Sequence, residues 1–351
     1  MHDASDGERS AMSTAPILSV RNLSVQFSTE RGTVRAVNGV DLDVTAGSTL
    51  AVVGESGSGK SVTAQSLLGL IECPPGSVSI DGMTIRDRHL TRLTGKEVRG
   101  LRGTEIAMVF QDAATSMNPR FRVGYQIAEG LRFRLGLSRQ EAQSRAIELM
   151  ERVRIPAAEA RYKNYPHQFS GGMLQRAMIA TAISLKPSVL IADEPTTALD
   201  VTVQAQIMEL IDELKVRDDL GVILITHDLG VVGESAETVA VMYAGRIVES
   251  GEVGEIFSTP AHPYTRALLA SVPSLKGTVR RMPNIPGAPP DLSNIPSGCA
   301  FHPRCEFASE ICTVERPEFG QISPGSETQH RVACHHYEKV LSSQLPHRGD
   351  S

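Results

Sequence analysis

Tryptophan is absent, and nine phenylalanines with six tyrosines make up the whole aromatic complement of 351 residues. So sparse a set leaves few flat surfaces on which bases could stack, which argues against nucleic acid as a ligand. The charge balance agrees: 35 Lys and Arg stand against 40 Asp and Glu, a net charge of −5 with no global attraction for a polyanion. No uninterrupted apolar run reaches the about 18 residues that a membrane-crossing helix needs. Met1 to Ala15 is polar and lacks the apolar segment of a secretory leader, so it is expected to form a flexible tail, as are the last residues, 346–351. Cysteine is scarce and unevenly placed. Cys73 stands alone, and Cys299, Cys305, Cys312 and Cys334 crowd near the C-terminus. Without a secretory leader a disulfide framework is not expected, and metal ligation is the better reading of that cluster.

The remaining pattern is α/β. Ile17–Val20, Leu23–Phe27 and Val40–Val44 read as strands, and Ile106–Phe110, Val189–Ala192 and Val222–Ile225 as buried ones. Val239–Met242 and Gly245–Glu249 suggest a hairpin. Between them the period turns helical from Val123 to about Arg154. There Ala142, Ala146, Leu149, Met150 and Val153 share one face. Gln204–Leu214 reads as another helix. Alternating strands and helices imply a largely parallel sheet with a helical insertion. Composition shifts after about Ser258, and ten of the twenty prolines fall from Pro273 onward. Such a segment cannot build long helices or a regular sheet, so it either stays loose or needs a staple.

The most specific stretch is Gly54-Glu55-Ser56-Gly57-Ser58-Gly59-Lys60-Ser61, placed between the strand Thr49–Val53 and a helix opening at Val62. Glycines there let the backbone approach phosphates, and its N–H groups and the helix N-terminus converge on an anion. Lys60 is expected to reach the β- and γ-phosphates and Ser61 to bind Mg²⁺. Asp193 and Glu194 end an apolar strand, where one carboxylate suits Mg²⁺ and the next can polarise an attacking water. Gln111 and His227 each follow a strand. Alone such residues are ordinary solvated strand ends, but here they can contact Mg²⁺, the water or the γ-phosphate. Ser170-Gly171-Gly172 opens an apolar helix, a second anion-ready N-terminus in a chain with one phosphate loop. It therefore suits a nucleotide held by another subunit.

The ordered set Gly54–Ser61, Gln111, Ser170-Gly171-Gly172, Asp193-Glu194, Thr197–Asp200 and His227 resembles the nucleotide-binding subunit of ATP-binding-cassette (ABC) transporters over about residues 17–258. Ser116–Pro119, Tyr165–Gln168 and Ala261–Thr265 resemble the dipeptide/oligopeptide/nickel importer branch. The resemblance implies a P-loop, RecA-like ABC core over 16–258 with an antiparallel β-subdomain and a helical subdomain at about 112–184, followed by a small irregular C-terminal extension over 259–345. It implies that Gly54 to Val62, Ser170 to Gly172 and Asp200 contact ATP, with Phe27 stacking on adenine. Ser61, Asp193 and Gln111 would serve Mg²⁺, and Glu194, His227 and Gln111 would serve hydrolysis, with Glu194 as general base. Two departures stand out. Met173 occupies a position where the wider superfamily usually has Gln, matching a Ser-Gly-Gly-Met form in the peptide branch. Ala113 replaces a proline in the segment facing the membrane partner.

The four C-terminal cysteines lack paired C-x-x-C spacing, so a zinc ribbon is poorly matched. The extension resembles that of importer ATPases carrying a 4Fe-4S cluster, and zinc or unliganded thiols are the alternatives. The function so implied is ATP-driven uptake of dipeptides or oligopeptides at the cytoplasmic face of the cell membrane. The implied partners are a second, related ATPase subunit, two transmembrane permease subunits and, through them, an extracytoplasmic solute-binding protein. Nickel, glutathione or another small solute is the alternative cargo. A non-transport ATPase would carry two cassettes or a long coiled-coil insertion, and in a redox or iron sensor oxidation of the cysteine cluster would change ATP turnover.

Overall fold

The computed structural model describes residues 15–30, 32–197, 199–271, 285–323 and 329–343. The expected tails, Ala15 apart, and Ala198 lie outside the described residues. From the N-terminal side, β1 (Leu18–Thr29) and β2 (Gly32–Val44) form a long antiparallel ribbon, and β3 (Thr49–Val53) enters the core. Then β4 (Gly76–Ser79), β5 (Gly82–Ile85) and β6 (Arg88–Leu90) return to the ribbon. The core continues with β7 (Ile106–Val109), β8 (Val189–Asp193), β9 (Gly221–Thr226), β10 (Thr238–Tyr243) and β11 (Arg246–Glu252). Two short strands, β12 (Gly320–Gln321) and β13 (Arg331–Val332), complete it. The large sheet has the order β12-β13-β11-β10-β3-β9-β8-β7, and its β10-β3-β9-β8-β7 part is parallel.

Strands β3, β8 and β9 are buried along their whole length, which is why they read as unbroken apolar runs rather than as alternation. In-register residues share a face. Ala51, Leu224 and Ala192 point one way, and Val52, Ile225 and Asp193 the other. On the second face lie the β1-β2 ribbon and the helix Lys60–Leu67, joined by Leu18, Val20, Ala64 and Leu67. On the first face, over β7-β8-β9, sit the helices Val123–Leu135, Arg139–Arg152 and Gly171–Ile183. Ile127, Leu131, Met150 and Ile179 are almost wholly buried there, each contributing about 1.5–3 kcal/mol of apolar burial. Ser138 and Glu141 close a reciprocal capping box at the start of the middle helix.

The C-terminal extension covers the same face beside these helices, over β3 and β10. Tyr264, on the helix Pro263–Ala270, and Phe301 pack with Val53 and Val241. β13 joins the edge of β11 through Glu249↔Val332 and Ser250↔Arg331. Glu249 is fully buried there, accepting from the Ala261 and His262 N–H groups and lying 2.7 Å from His330 Nε2. The described parts of the extension, 259–271, 285–323 and 329–343, are therefore packed on the central sheet without a metal staple. They have no separate core but share that of the central sheet.

Among the described residues no helix is long and apolar enough to cross a membrane.

Candidate active site

Parallel strands place their carboxyl ends on one edge, and the loops after β3, β7, β8 and β9 meet there. The loop after β3 runs from Gly54 into the helix Lys60–Leu67. Gly54 and Gly59 have φ of 155° and 107°, and a Cβ would come within 2.2 Å of Met242 O at the first and 2.3 Å of Ala36 O at the second. Only glycine fits either position. The backbone so shaped curls round Lys60, which is buried and donates from Nζ to Gly54 O at 2.7 Å and Glu55 O at 2.9 Å. Burial lowers the Lys60 pKa, while the carboxylates of Glu194, Asp193 and Glu55 oppose that shift.

Ser61 Oγ lies 3.1 Å from Asp193 Oδ1, which ends β8 and is 4 % exposed. Burial raises the Asp193 pKa, with the Ser61 hydrogen bond acting against it. Two hard oxygen donors thus stand side by side at the loop, a set that suits Mg²⁺. Glu194 follows in a left-handed conformation, φ 45°, fixed by its N–H to Ile225 O. Its Oε2 accepts from Gln111 Nε2 at 2.7 Å and Thr197 Oγ1 at 2.9 Å, and its Oε1 lies 3.4 Å from His227 Nδ1. Gln111, Glu194 and His227, separated by up to 116 positions, are thus brought together at the ends of β7, β8 and β9.

Ser170 caps the helix Gly171–Ile183, accepting from Met173 N at 3.4 Å. Asp200 caps the helix Val201–Asp218, accepting from Val203 N at 2.9 Å. The two turns pack on each other: a Cβ on Gly172 would come within 2.7 Å of Val203, and one on Gly171 within 3.5 Å of Leu199. No hydrogen bond among the described residues ties either turn to the loop 54–61. Among the described residues, the loop and the paired turns are thus two separate clusters of candidate site residues.

Residues 37–197 match the family model of the ABC transporter, and residues 248–312 match that of the oligopeptide/dipeptide transporter C-terminal region. The dipeptide transport ATP-binding protein DppD of Lactococcus lactis subsp. cremoris is 51% identical over 89% of this chain and 90% of its own length. The oligopeptide transport ATP-binding protein OppD of Bacillus subtilis is 49% identical over 88% of this chain and 86% of its own. The chain belongs to the ABC transporter ATP-binding proteins. Among solved structures, the dimeric ATP-binding cassette MJ0796 bound to ADP and Pi is similar, with a TM-score of 0.59, 26% identity and coverage of 67% of this chain and 98% of that one.

In this ABC ATPase, Phe27 lies on the inward face of β1, half-buried against the β-ribbon core, and its ring approaches Gly76. No described contact joins it to the loop 54–61, unlike the other expected nucleotide residues around Lys60. Cys299, Cys305, Cys312 and Cys334 line one small cavity with His302, His335 and His336. Burial pushes the Cys305 thiol up to about 11 and Cys334 to about 12, and the neighbouring thiols add to both shifts. None of the described cysteines is bridged. No group of three or more His, Cys, Asp or Glu among the described residues could hold a metal ion as they stand, so the geometry does not carry the expected cluster.

Sequence reasoning gave no such role to four residues. Thr197, named there only within the run 197–200, is a third grip on Glu194. Arg102 donates to Leu68 O and Gly69 O, both at 2.7 Å, satisfying carbonyls at the end of the loop helix. Arg304 and Tyr264 reach Glu55 from the C-terminal extension. Thr197 sits three residues from Glu194 and was within reach of local reading; the other contacts are long-range and have no spacing signal.

Proposed function

We propose that this ABC ATPase drives import of dipeptides or oligopeptides, hydrolysing ATP at the cytoplasmic face of the membrane. The observation that carries the chemistry is the gathering of Glu194, Gln111 and His227 beside the Lys60 loop and the Ser61–Asp193 pair. In this reading the loop Gly54–Ser61, with Val62, binds the phosphates and Lys60 turns its ammonium from the loop carbonyls to the β- and γ-oxygens. Ser61, Asp193 and Gln111 hold Mg²⁺, which when bound offsets phosphate charge. Glu194 accepts the proton of the attacking water, with Gln111 and His227 orienting water and γ-phosphate. Phe27 is the assigned adenine neighbour. Ser170, Gly171, Gly172 and Asp200 serve a nucleotide on a second ATPase subunit, preferably a related but distinct chain. The peptide cargo is supported by the names of the two relatives and by the matched C-terminal region.

Closure of the pair on ATP and reopening after hydrolysis would drive two permease subunits between inward and outward states. For the four cysteines we infer a 4Fe-4S cluster from ligand type alone, with zinc or unliganded thiols as the alternatives, since as they stand these residues form no metal site. A cluster interposes its inorganic core between the thiolates, whereas a lone zinc ion needs all four sulfurs at about 2.3 Å from one point.

The test is affinity purification of the tagged chain from mild-detergent membranes, under anaerobic conditions. Two polytopic membrane proteins and a second cassette ATPase are expected, with a solute-binding protein that binds peptides. Recovery of ribosomal or DNA-associated proteins instead overturns the import reading. Iron content and visible absorbance of the same preparation test the cluster, and iron-free protein removes it.

A further inference from the structure

Among the described residues, Glu55 is the residue of the phosphate loop that hydrogen bonds from the C-terminal extension hold. Arg304 grips its carboxylate with both prongs, Nη1 to Oε2 at 2.7 Å and Nη2 to Oε1 at 3.0 Å. The Arg304 side chain is only 5 % exposed. Its Nε donates to Pro286 O at 2.8 Å and its Nη1 also to Tyr243 Oη at 3.3 Å, so the guanidinium is fixed before it meets Glu55. The Glu55 pairing raises the Arg304 pKa further. Tyr264, fully buried, accepts the Glu55 backbone N–H at 2.8 Å. Tyr243, Tyr264 and Phe301 pack ring against ring beneath this contact.

Glu55 thus has its carboxylate and its N–H held by the extension, while its carbonyl accepts from Lys60 Nζ. We propose that Arg304 is a positioning residue for the phosphate loop, bracing Glu55 so that the docked C-terminal extension sets the affinity for ATP. The inference rests on the reading that the loop binds ATP. A two-pronged guanidinium–carboxylate pair in a poorly solvated place constrains direction as well as distance. A loop so constrained keeps its N–H groups aimed at phosphates without an ordering cost on binding; an unbraced loop must order first. The brace touches neither Glu194 nor His227, so it acts on nucleotide binding and not on the chemical step. The extension's part nearest the cysteine cavity is also the part that grips the loop, because Arg304 immediately precedes Cys305.

The experiment measures nucleotide affinity, and KM and kcat for ATP, in the purified complex carrying Arg304→Met, Arg304→Lys, Glu55→Gln or the Met/Gln pair. Arg304→Met is expected to weaken ATP binding and raise KM on the order of ten- to a hundredfold, with kcat at saturating ATP within about twofold. Lys, which keeps the charge but loses the fork, is expected to fall between, and the paired variant to do better than the sum of its singles. A fall in kcat with unchanged KM, or additive effects of the two changes, overturns the brace. A wild-type complex that binds no ATP overturns the ATP reading itself; a wild type that binds and an Arg304→Met variant that binds equally well overturn only the brace.

Discussion

Glu194 occupies a backbone conformation that costs a residue with a side chain about 1–2 kcal/mol, and its neighbours hold it there. Its N–H goes to Ile225, and its carboxylate is shared by Gln111 and Thr197. This geometry separates binding from hydrolysis, because none of these contacts involves the glycine loop. Glu194→Gln preserves the shape and the backbone bond but removes the proton acceptor. We expect nucleotide affinity to stay near that of the wild type and single-turnover hydrolysis to fall about 10²–10⁴-fold. Hydrolysis at the wild-type rate in this variant would remove Glu194 from the mechanism. At this scale much of the candidate site's geometry was legible in the sequence. Gly54, Gly59 and Lys60 must keep a fixed local spacing to wrap an anion. Asp193, Glu194, Gln111 and His227 each sit where an apolar strand ends, so one parallel sheet suffices to gather them. Arg304 was illegible for the opposite reason. Its partner lies 249 positions away, and nothing beside it in the chain marks a charge that will be buried and paired.

The elements divide in the same way. β3, β8 and β9 announce themselves as continuous apolar runs, and the helix Arg139–Arg152 by its stripe of small and apolar residues. The stretches Ile17–Val20 and Leu23–Phe27 read as two strands but form one, β1, whose irregular register against β2 and positive-φ Asn22 break the alternation. β4, β5 and β6 span three or four residues each, too few to carry a period. The helix Val201–Asp218 is longer than its apolar core suggested, because Asp200 starts it and Asp219, at φ 53°, ends it. The helix Pro263–Ala270 depends on His262, whose neutral Nδ1 accepts the Tyr264 N–H in a fully buried site. Burial lowers the His262 pKa to about 4, with Glu249 partly offsetting the shift. Between about 4 and the usual 6.5 the unfolded chain takes up a proton that the folded chain refuses. The contribution of this ring to stability is complete above pH 6.5 and is lost as the pH falls toward 4. Between pH 7 and 5 that loss amounts to about 2 kcal/mol. Denaturant unfolding at the two pH values checks it. In His262→Asn, which can still cap the helix, the pH-dependent part should shrink by that amount; an unchanged pH dependence would exclude the ring as its source.

At the scale of the whole molecule, the proposed function needs two half-sites, and no hydrogen bond among the described residues joins them. Lys60 and Glu194 lie on one edge of the parallel sheet, whereas Ser170 and Asp200 start helices whose caps pack on each other. The dimeric cassette MJ0796, which shares the fold, is known in a state bound to ADP and Pi. If a distinct ATPase subunit supplies the complement, Lys60 and Ser170 of this chain serve different nucleotides. Lys60→Ala disables the site in which this chain provides the phosphate loop. Ser170→Arg disables the other, in which it provides the capping turn. Each variant in the assembled complex should then trap about one nucleotide where the wild type traps about two, and the double variant should trap none. In a symmetric pair of identical chains, each single change would strike both sites at once, since every site draws its loop from one copy and its turn from the other. Nucleotide trapped per complex, counted in the two single variants before the double, therefore distinguishes the arrangements. A single variant that traps nothing would make this chain its own partner, and a double variant that still traps one nucleotide would leave one of the two residues outside a shared site.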